Sequence, residues 1–77
     1  MEKSGKTTRK VDQAVQDLFT KGIAYLYEGR INNKSVHQEA MNIFNSRISN
    51  EHPNTKYTYE YGCHDGIWCF KIETHNL

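Results

Sequence analysis

The chain has 77 residues, of which 36% are hydrophobic, 12% aromatic and 25% charged, and its formal net charge is +1. A chain of this length has room for one domain with a small core, and its ordinary share of charged residues argues against disorder. The charge is uneven: residues 1–10 hold four basic groups and one acidic group (+3), and the remaining residues hold six and eight (−2). This balance excludes the single-sign field of a dedicated nucleic-acid binder.

No segment that would direct the chain to a membrane or out of the cell is expected from the sequence. No apolar run approaches the roughly 18–20 residues of a membrane span, and the first residues have no apolar stretch of a secretory signal. Cys63 and Cys69 are too few for a disulfide scaffold, so a reducing cytoplasm is expected. Seven asparagines and seven lysines are typical of AT-rich genomes, such as those of low-GC bacteria and their phages.

Two helices are predicted in the first two thirds of the chain. Residues 1–7 are polar and basic and are predicted to form a flexible arm, with residues 8–77 forming a single compact domain. The first helix is predicted from Thr8 to the stop at Gly29, with a stripe of apolar residues at helical spacing: Val11, Ala14, Val15, Leu18, Phe19, Gly22, Tyr25 and Leu26. The second is predicted from Val36 to about Asn50, because Ser35 and Gln38 have the spacing of a capping box.

A β-hairpin is predicted at the C-terminal end. Asp65-Gly66 is the preferred pair for a two-residue type I′ turn. The residues on both sides alternate between apolar and polar side chains, as strands do. The resulting register places one row of apolar side chains on a single face: Tyr57, Tyr59, Tyr61, Cys63, Trp68, Phe70 and Ile72. The opposite face is mostly polar, with Glu60 opposite Lys71.

These elements predict an α+β fold in which two antiparallel helices pack on one face of a C-terminal antiparallel β-hairpin. The aromatic row is interpreted as core, with Cys63 as a small core residue and Cys69 as a filler on the outer face. An exposed platform on which the bases of single-stranded nucleic acid stack is the alternative interpretation of the aromatic row.

None of the candidate chemical motifs predicts a catalytic, cofactor or metal site. Ser4-Gly5-Lys6-Thr7 resembles the end of a phosphate-binding loop but lacks the strand and glycine that must precede it. Five residues near the turn are of metal-binding types, but the two cysteines are six residues apart and point to opposite faces: Cys63, His64, Asp65, Cys69 and His75. No nucleophile has a recognisable base beside it, so the chain is not expected to be an enzyme, although a small nuclease-type activity stays open.

The favoured functional interpretation is a small protein–protein interaction module, such as an inhibitor or adaptor of a larger protein. A two-stranded sheet has two unpaired edges, so it is expected to bind a protein partner or to self-associate as a homodimer. The residues expected to contact a partner are Tyr25, Tyr27, Glu60, Ile67, Cys69 and Lys71. No cofactor and no membrane contact are expected.

The alternative is a nucleic-acid-binding regulator. Two helices followed by a hairpin resemble part of a winged helix-turn-helix, with the second helix as reader and the hairpin as wing. The residues expected to contact nucleic acid are Lys3, Lys6, Arg9, Lys10 and Arg47. The interpretation is weakened because the predicted reading helix offers only Arg47 and the wing tip carries Asp65.

Overall fold

The computed structural model of the protein describes residues 2–29 and 32–75, with the backbone alone for residues 2–8. Five elements follow one another along the chain: α1 (Glu2–Lys21), β1 (Ile23–Leu26), α2 (Lys34–Glu51), β2 (Tyr57–His64) and β3 (Ile67–Thr74). The three strands form an antiparallel sheet in the order β1-β3-β2. The predicted α+β class, with two helices before a C-terminal hairpin, is confirmed, and β1 is an addition to it.

The first helix differs from its predicted bounds at both ends. It begins at Glu2 rather than Thr8, so it includes most of the stretch predicted as an arm, and it ends at Lys21 rather than near Gly29. Gly22 stops it, because its φ of 81° is left-handed and its N–H donates to the Leu18 carbonyl oxygen at 3.0 Å. The prediction that residues 23–27 are helical is therefore wrong.

Residues 23–26 instead form a short strand, and their burial alternates as in a sheet. Ala24 and Leu26 face the helices and are buried, whereas Tyr25 faces the other way. β1 pairs with the central strand, with Ala24 opposite Ile72 and Leu26 opposite Phe70. This pairing turns the predicted two-stranded hairpin into a three-stranded sheet.

The second helix begins two residues before its predicted start. Asn33 caps it, because its side-chain oxygen accepts from the backbone N–H groups of Ser35 and Val36. Ser35 is therefore not the cap. The buried side of α2 includes one polar residue and consists of His37, Ala40, Met41, Phe44 and Ile48. Val36 and Ile43, two other apolar residues of this helix, are exposed.

The hairpin has the predicted register throughout, from Tyr57 opposite Thr74 to His64 opposite Ile67. Asp65 and Gly66 both have positive φ, 55° and 79°, as a type I′ turn requires. The core lies between the helices and one face of the sheet, where Phe70 and Ile72 are buried and Tyr57 and Tyr61 pack at its margin.

The predicted burial of the aromatic row is only partly right. Tyr59 is 45% exposed and Cys63 is exposed, although both lie on the face that carries the core. The helices lie closer to β1 and β3 than to β2, so the β2 side of this face is left partly uncovered. Cys69, predicted as an outer-face filler, is the buried cysteine.

Candidate functional site

The face of the sheet that points away from the helices carries an apolar cluster around Cys69. Strand alternation places Tyr25, Ile67 and Cys69 on this outer face, together with His64. Tyr27 follows β1 directly and completes the cluster. The outer face of a two-layer antiparallel sheet is normally polar, so an apolar cluster there needs an explanation other than the core.

The cluster encloses a small depression, which we call the outer pocket. Its volume is about 180 Å³, and its lining is almost entirely apolar: Tyr25, Tyr27, His64, Asp65, Ile67 and Cys69. The rings of Tyr25 and His64 lie 5.8 Å apart at a tilt of 54°, so β1 and the end of β2 contact each other across β3. Cys69 forms the floor and is only 2% exposed.

The chemistry of the outer pocket suits binding rather than catalysis. Burial, and secondarily Cys63, raises the pKa of the Cys69 thiol, which keeps it protonated and therefore a weak nucleophile. The Nε2 atom of His64 is buried and has no hydrogen-bond partner in the described part of the chain. An apolar side chain of a partner would fit the pocket.

Tyr25 and Tyr27 form a ridge between the outer pocket and a second depression. This second depression, of about 150 Å³, lies toward α1 and is lined by Lys10, Gln13, Ala14, Leu26 and the same two tyrosines. The Lys10 ammonium lies 5.4 Å from the centre of the Tyr27 ring and 3.5 Å from a Glu28 carboxylate oxygen. The two residues are 46% and 42% exposed, so the ridge projects into solvent.

The structure thus brings four of the six residues predicted to contact a partner into one pocket: Tyr25, Tyr27, Ile67 and Cys69. The other two, Glu60 and Lys71, face each other farther along the same outer surface. They line a shallow depression of about 70 Å³ with Thr58, Tyr59 and Glu73. Tyr25 lies in β1 and Tyr27 directly after it, however, and not at the end of a helix as predicted.

Of the residues predicted to contact nucleic acid, Lys10 and Arg47 are each paired with acidic side chains. Arg47 donates to Glu51 at 2.7 Å and to Asp12, and these carboxylates raise its pKa above the ordinary value of a guanidinium. Lys10 is engaged by Glu28 and Tyr27, Arg9 is exposed, and the side chains of Lys3 and Lys6 lie outside the described residues. Arg47 therefore ties α2 to α1.

The histidines do not form a catalytic arrangement in the described part of the chain. His37 is buried in the core, where its Nδ1 lies 2.9 Å from the Asn33 carbonyl oxygen, and its Nε2 has no partner there. His52 packs on the ring of Phe19 at 4.3 Å. Within residues 2–29 and 32–75, no three His, Cys, Asp or Glu side chains are grouped so that they could hold a metal ion.

Two members of the outer pocket, His64 and Asp65, were not singled out from the sequence as partner-binding residues. The hairpin register already placed His64 on the outer face opposite Ile67, but its contact with Tyr25 depends on β1. The signal for β1 was present in the alternation of Ile23 to Leu26 between Gly22 and Gly29. Such a four-residue strand is too short for periodicity to separate from a helix.

Comparison with known proteins gives no relative: no protein-family model matches this chain, and neither a curated protein nor a solved structure matches it. Among the described residues, no helix has both the length and the apolar character needed to cross a membrane. A role for the outer pocket is therefore inferred from its own geometry.

Proposed function

We propose that this chain is a small protein–protein interaction module that docks the outer face of its sheet onto a larger protein. The observation that carries the proposal is the exposed ridge of Tyr25 and Tyr27 beside an apolar pocket, on a face that the domain's own core does not use. Tyrosine is over-represented among the few residues that dominate binding energy at protein interfaces.

The ridge is held in place before any partner arrives. Tyr25 lies within a strand paired to the centre of the sheet and contacts His64, and Tyr27 contacts Lys10. Ordering a rotamer-rich side chain on binding costs about 0.5–1.5 kcal/mol. Binding through rings that are already fixed incurs less of this entropic cost. This supports a binding role for the outer face over an accidental apolar patch.

The charges around the outer pocket indicate the chemistry of the partner. Asp65 lies at its rim, and Glu60 and Glu73 lie farther along the same face with Lys71 among them. Among the described residues, these three carboxylates and one ammonium sum to a net charge of −2. A complementary partner surface would present an apolar or aromatic side chain flanked by lysine or arginine.

A module with this site would act by occupying a surface of its partner. The Cys69 thiol is protonated and buried, so binding, rather than covalent chemistry, is the activity that the site supports. An inhibitor or an adaptor of a larger protein, working in the reducing cytoplasm of a bacterium or a phage-infected cell, is the role we propose.

The proposal is tested by site-specific photo-crosslinking in a lysate of the source cells. A benzophenone amino acid replaces Tyr25 in one variant and Ile43, which is 39% exposed on α2, in a matched control. We expect a discrete crosslinked protein from position 25 that is absent from position 43. The same crosslinks from both positions, or none from position 25, would contradict a docking role for the outer face.

A further inference from the structure

The second strand of the sheet has one side that no other strand covers. In the order β1-β3-β2, the eight-residue β2 is an edge strand, and among residues 2–29 and 32–75 it pairs only with β3. Antiparallel ladders alternate, so every second residue of an edge strand turns its N–H and C=O outward. A long edge of this kind accepts another strand unless something blocks it.

The hydrogen bonds at the end of the sheet show which β2 residues point outward. The Thr74 N–H donates to the Gly22 carbonyl oxygen on the β1 side, and the His75 N–H donates to the Lys56 carbonyl oxygen on the β2 side. Tyr57, opposite Thr74, therefore turns its backbone groups away from β3. By alternation, so do Tyr59, Tyr61 and Cys63.

This edge carries none of the features that usually protect an exposed strand. Its sequence YTYEYGCH has no proline and no lysine, its only carboxylate is Glu60, and its register to β3 continues without a bulge. β1, at the other edge of the sheet, is only four residues long. The unprotected edge of the domain is therefore that of β2.

The space on the helix side of this edge is also open, and the side chains that the structure shows bonded there are uncharged. Tyr59 is half-exposed and Cys63 is exposed there. The adjacent flank of α2 carries amides, since Asn45 accepts a hydrogen bond of 2.6 Å from the Tyr57 hydroxyl and Gln38 donates to Asn42 one helical turn before it. No charged side chain among these residues would repel an approaching strand.

We infer that β2 pairs in antiparallel fashion with β2 of a second copy of this chain, about a two-fold axis at Tyr61. This register pairs residues 58–64 of the two copies, with Tyr59 opposite Cys63 and Glu60 opposite Gly62. An axis at Glu60 would instead place the two carboxylates directly opposite each other, which is destabilising. An axis at Tyr59 would pair only residues 57–61.

The resulting dimer is closed. The two copies form one six-stranded sheet in the order β1-β3-β2-β2-β3-β1, and only the short β1 strands remain at its edges. A second copy is a better occupant than a foreign peptide, because the strand has a self-complementary register and every molecule supplies it. Both outer pockets then face the same way, so this inference extends the proposed function by making the module bivalent.

The first test is the mass of the full chain in solution, measured by light scattering after size exclusion over a dilution series. The chain is expected at twice its 9.0 kDa. Cys63→Pro removes an outward N–H and no bond to β3, so the variant is expected to keep its native circular dichroism and to become monomeric. Cys63→Val keeps the N–H and is expected to stay dimeric.

A second test checks the register and decides the case if Cys63→Pro does not fold. Tyr59→Cys places a thiol opposite Cys63 of the other copy, at a Cα separation of about 5.5 Å that a disulfide can span. Mild oxidation is expected to give a covalent dimer of this variant, but not of Thr58→Cys or of the unaltered chain. A monomeric unaltered chain, a dimeric Cys63→Pro variant, or equal crosslinking of both cysteine variants would overturn the inference.

The two proposals fail separately in these experiments. Tyr25→Ala alters the outer face and is expected to leave the dimer intact, whereas Cys63→Pro alters the edge and leaves the outer pocket of each copy in place. Loss of the dimer in Tyr25→Ala would show that the outer face, and not the β2 edge, joins the two copies.

Discussion

Replacing Gly22 by alanine tests the feature that most changes the fold relative to the sequence prediction. Gly22 has a φ of 81°, between the end of α1 and the start of β1. An L-residue in the left-handed region costs about 1–2 kcal/mol. The reduced freedom of the unfolded chain offsets about 0.4–1 kcal/mol of this cost. We therefore expect Gly22→Ala to lower the free energy of unfolding by about 1 kcal/mol.

The sign of this effect distinguishes the observed structure of residues 18–26, in which α1 ends before Gly22 and β1 follows, from the predicted continuous helix. A continuous helix through Gly22 would gain roughly 1 kcal/mol from the same substitution, because alanine is the better helix former. Gly62→Ala is the matched control, since Gly62 lies within β2 without a positive φ and an added Cβ would meet His64 at an ordinary 3.5 Å. That variant is expected to gain about 0.5–1 kcal/mol.

Urea and thermal denaturation, both followed by circular dichroism, measure these differences. For a domain of this size, about 1 kcal/mol corresponds to roughly 4–8 °C in Tm. We expect Gly22→Ala to melt below the unaltered chain and Gly62→Ala above it. A Gly22→Ala variant more stable than the unaltered chain would refute the break at Gly22 and with it the position of Tyr25 on the outer face.

Three further predictions concern the core, the buried thiol and the link between the helices. Phe44→Ala is expected to cost about 3–5 kcal/mol in urea denaturation, because Phe44 is fully buried, whereas Ile43→Ala should change stability by about 0.5 kcal/mol or less; equal costs would contradict the orientation of α2. Burial raises the pKa of the Cys69 thiol, so the folded chain retains this proton at a pH at which the unfolded chain loses it. The free energy of unfolding should therefore fall as pH rises above about 8.5, and that of the Cys69→Ala variant should fall less. Parallel pH profiles of the two proteins would contradict burial of the thiol. A double-mutant cycle of Arg47→Met and Asp12→Asn should give a coupling of about 1 kcal/mol or less that declines with added salt, and a zero coupling at low salt would contradict the contact.

The hairpin was predictable because all the information that fixes it is local. A two-residue Asp65-Gly66 turn sets the register, and the alternation on both sides allows only that register to separate apolar from polar residues. Each of the six predicted pairs, from His64–Ile67 to Tyr59–Ile72, follows from this one turn. The same register also predicted that Ile67 and Cys69 lie on the outer face of the sheet.

The strand β1 was not predictable by the same means, because its partner is distant in sequence. Tyr25 lies opposite Lys71, and no turn signal connects them. The spacing of Gly22, Tyr25 and Leu26 also continues the helical stripe of α1, so the periodicity favoured a longer helix. The positive φ of Gly22 resolves this ambiguity, and it can be read only from the structure.

This missing strand also explains the errors at the candidate site. Tyr25 and Tyr27 were selected as residues of the right type, but only the pairing of β1 with β3 brings them to Ile67 and Cys69. The same pairing covers Cys69, which would be exposed on a two-stranded hairpin. Cys63 was expected in the core, but it lies near the tip of β2, where the helices do not cover the sheet.

The pairing of β1 with β3 therefore creates the outer pocket, and nuclear Overhauser spectroscopy measures it directly. Tyr25 and Lys71 form a pair without mutual hydrogen bonds, in which the two Cα atoms lie about 4.5 Å apart. We expect a strong cross-peak between their Hα protons, together with contacts between the Tyr25 and His64 rings. Helical cross-peaks between Hα of Gly22 and the amide proton of Tyr25 would instead show that the outer pocket does not exist.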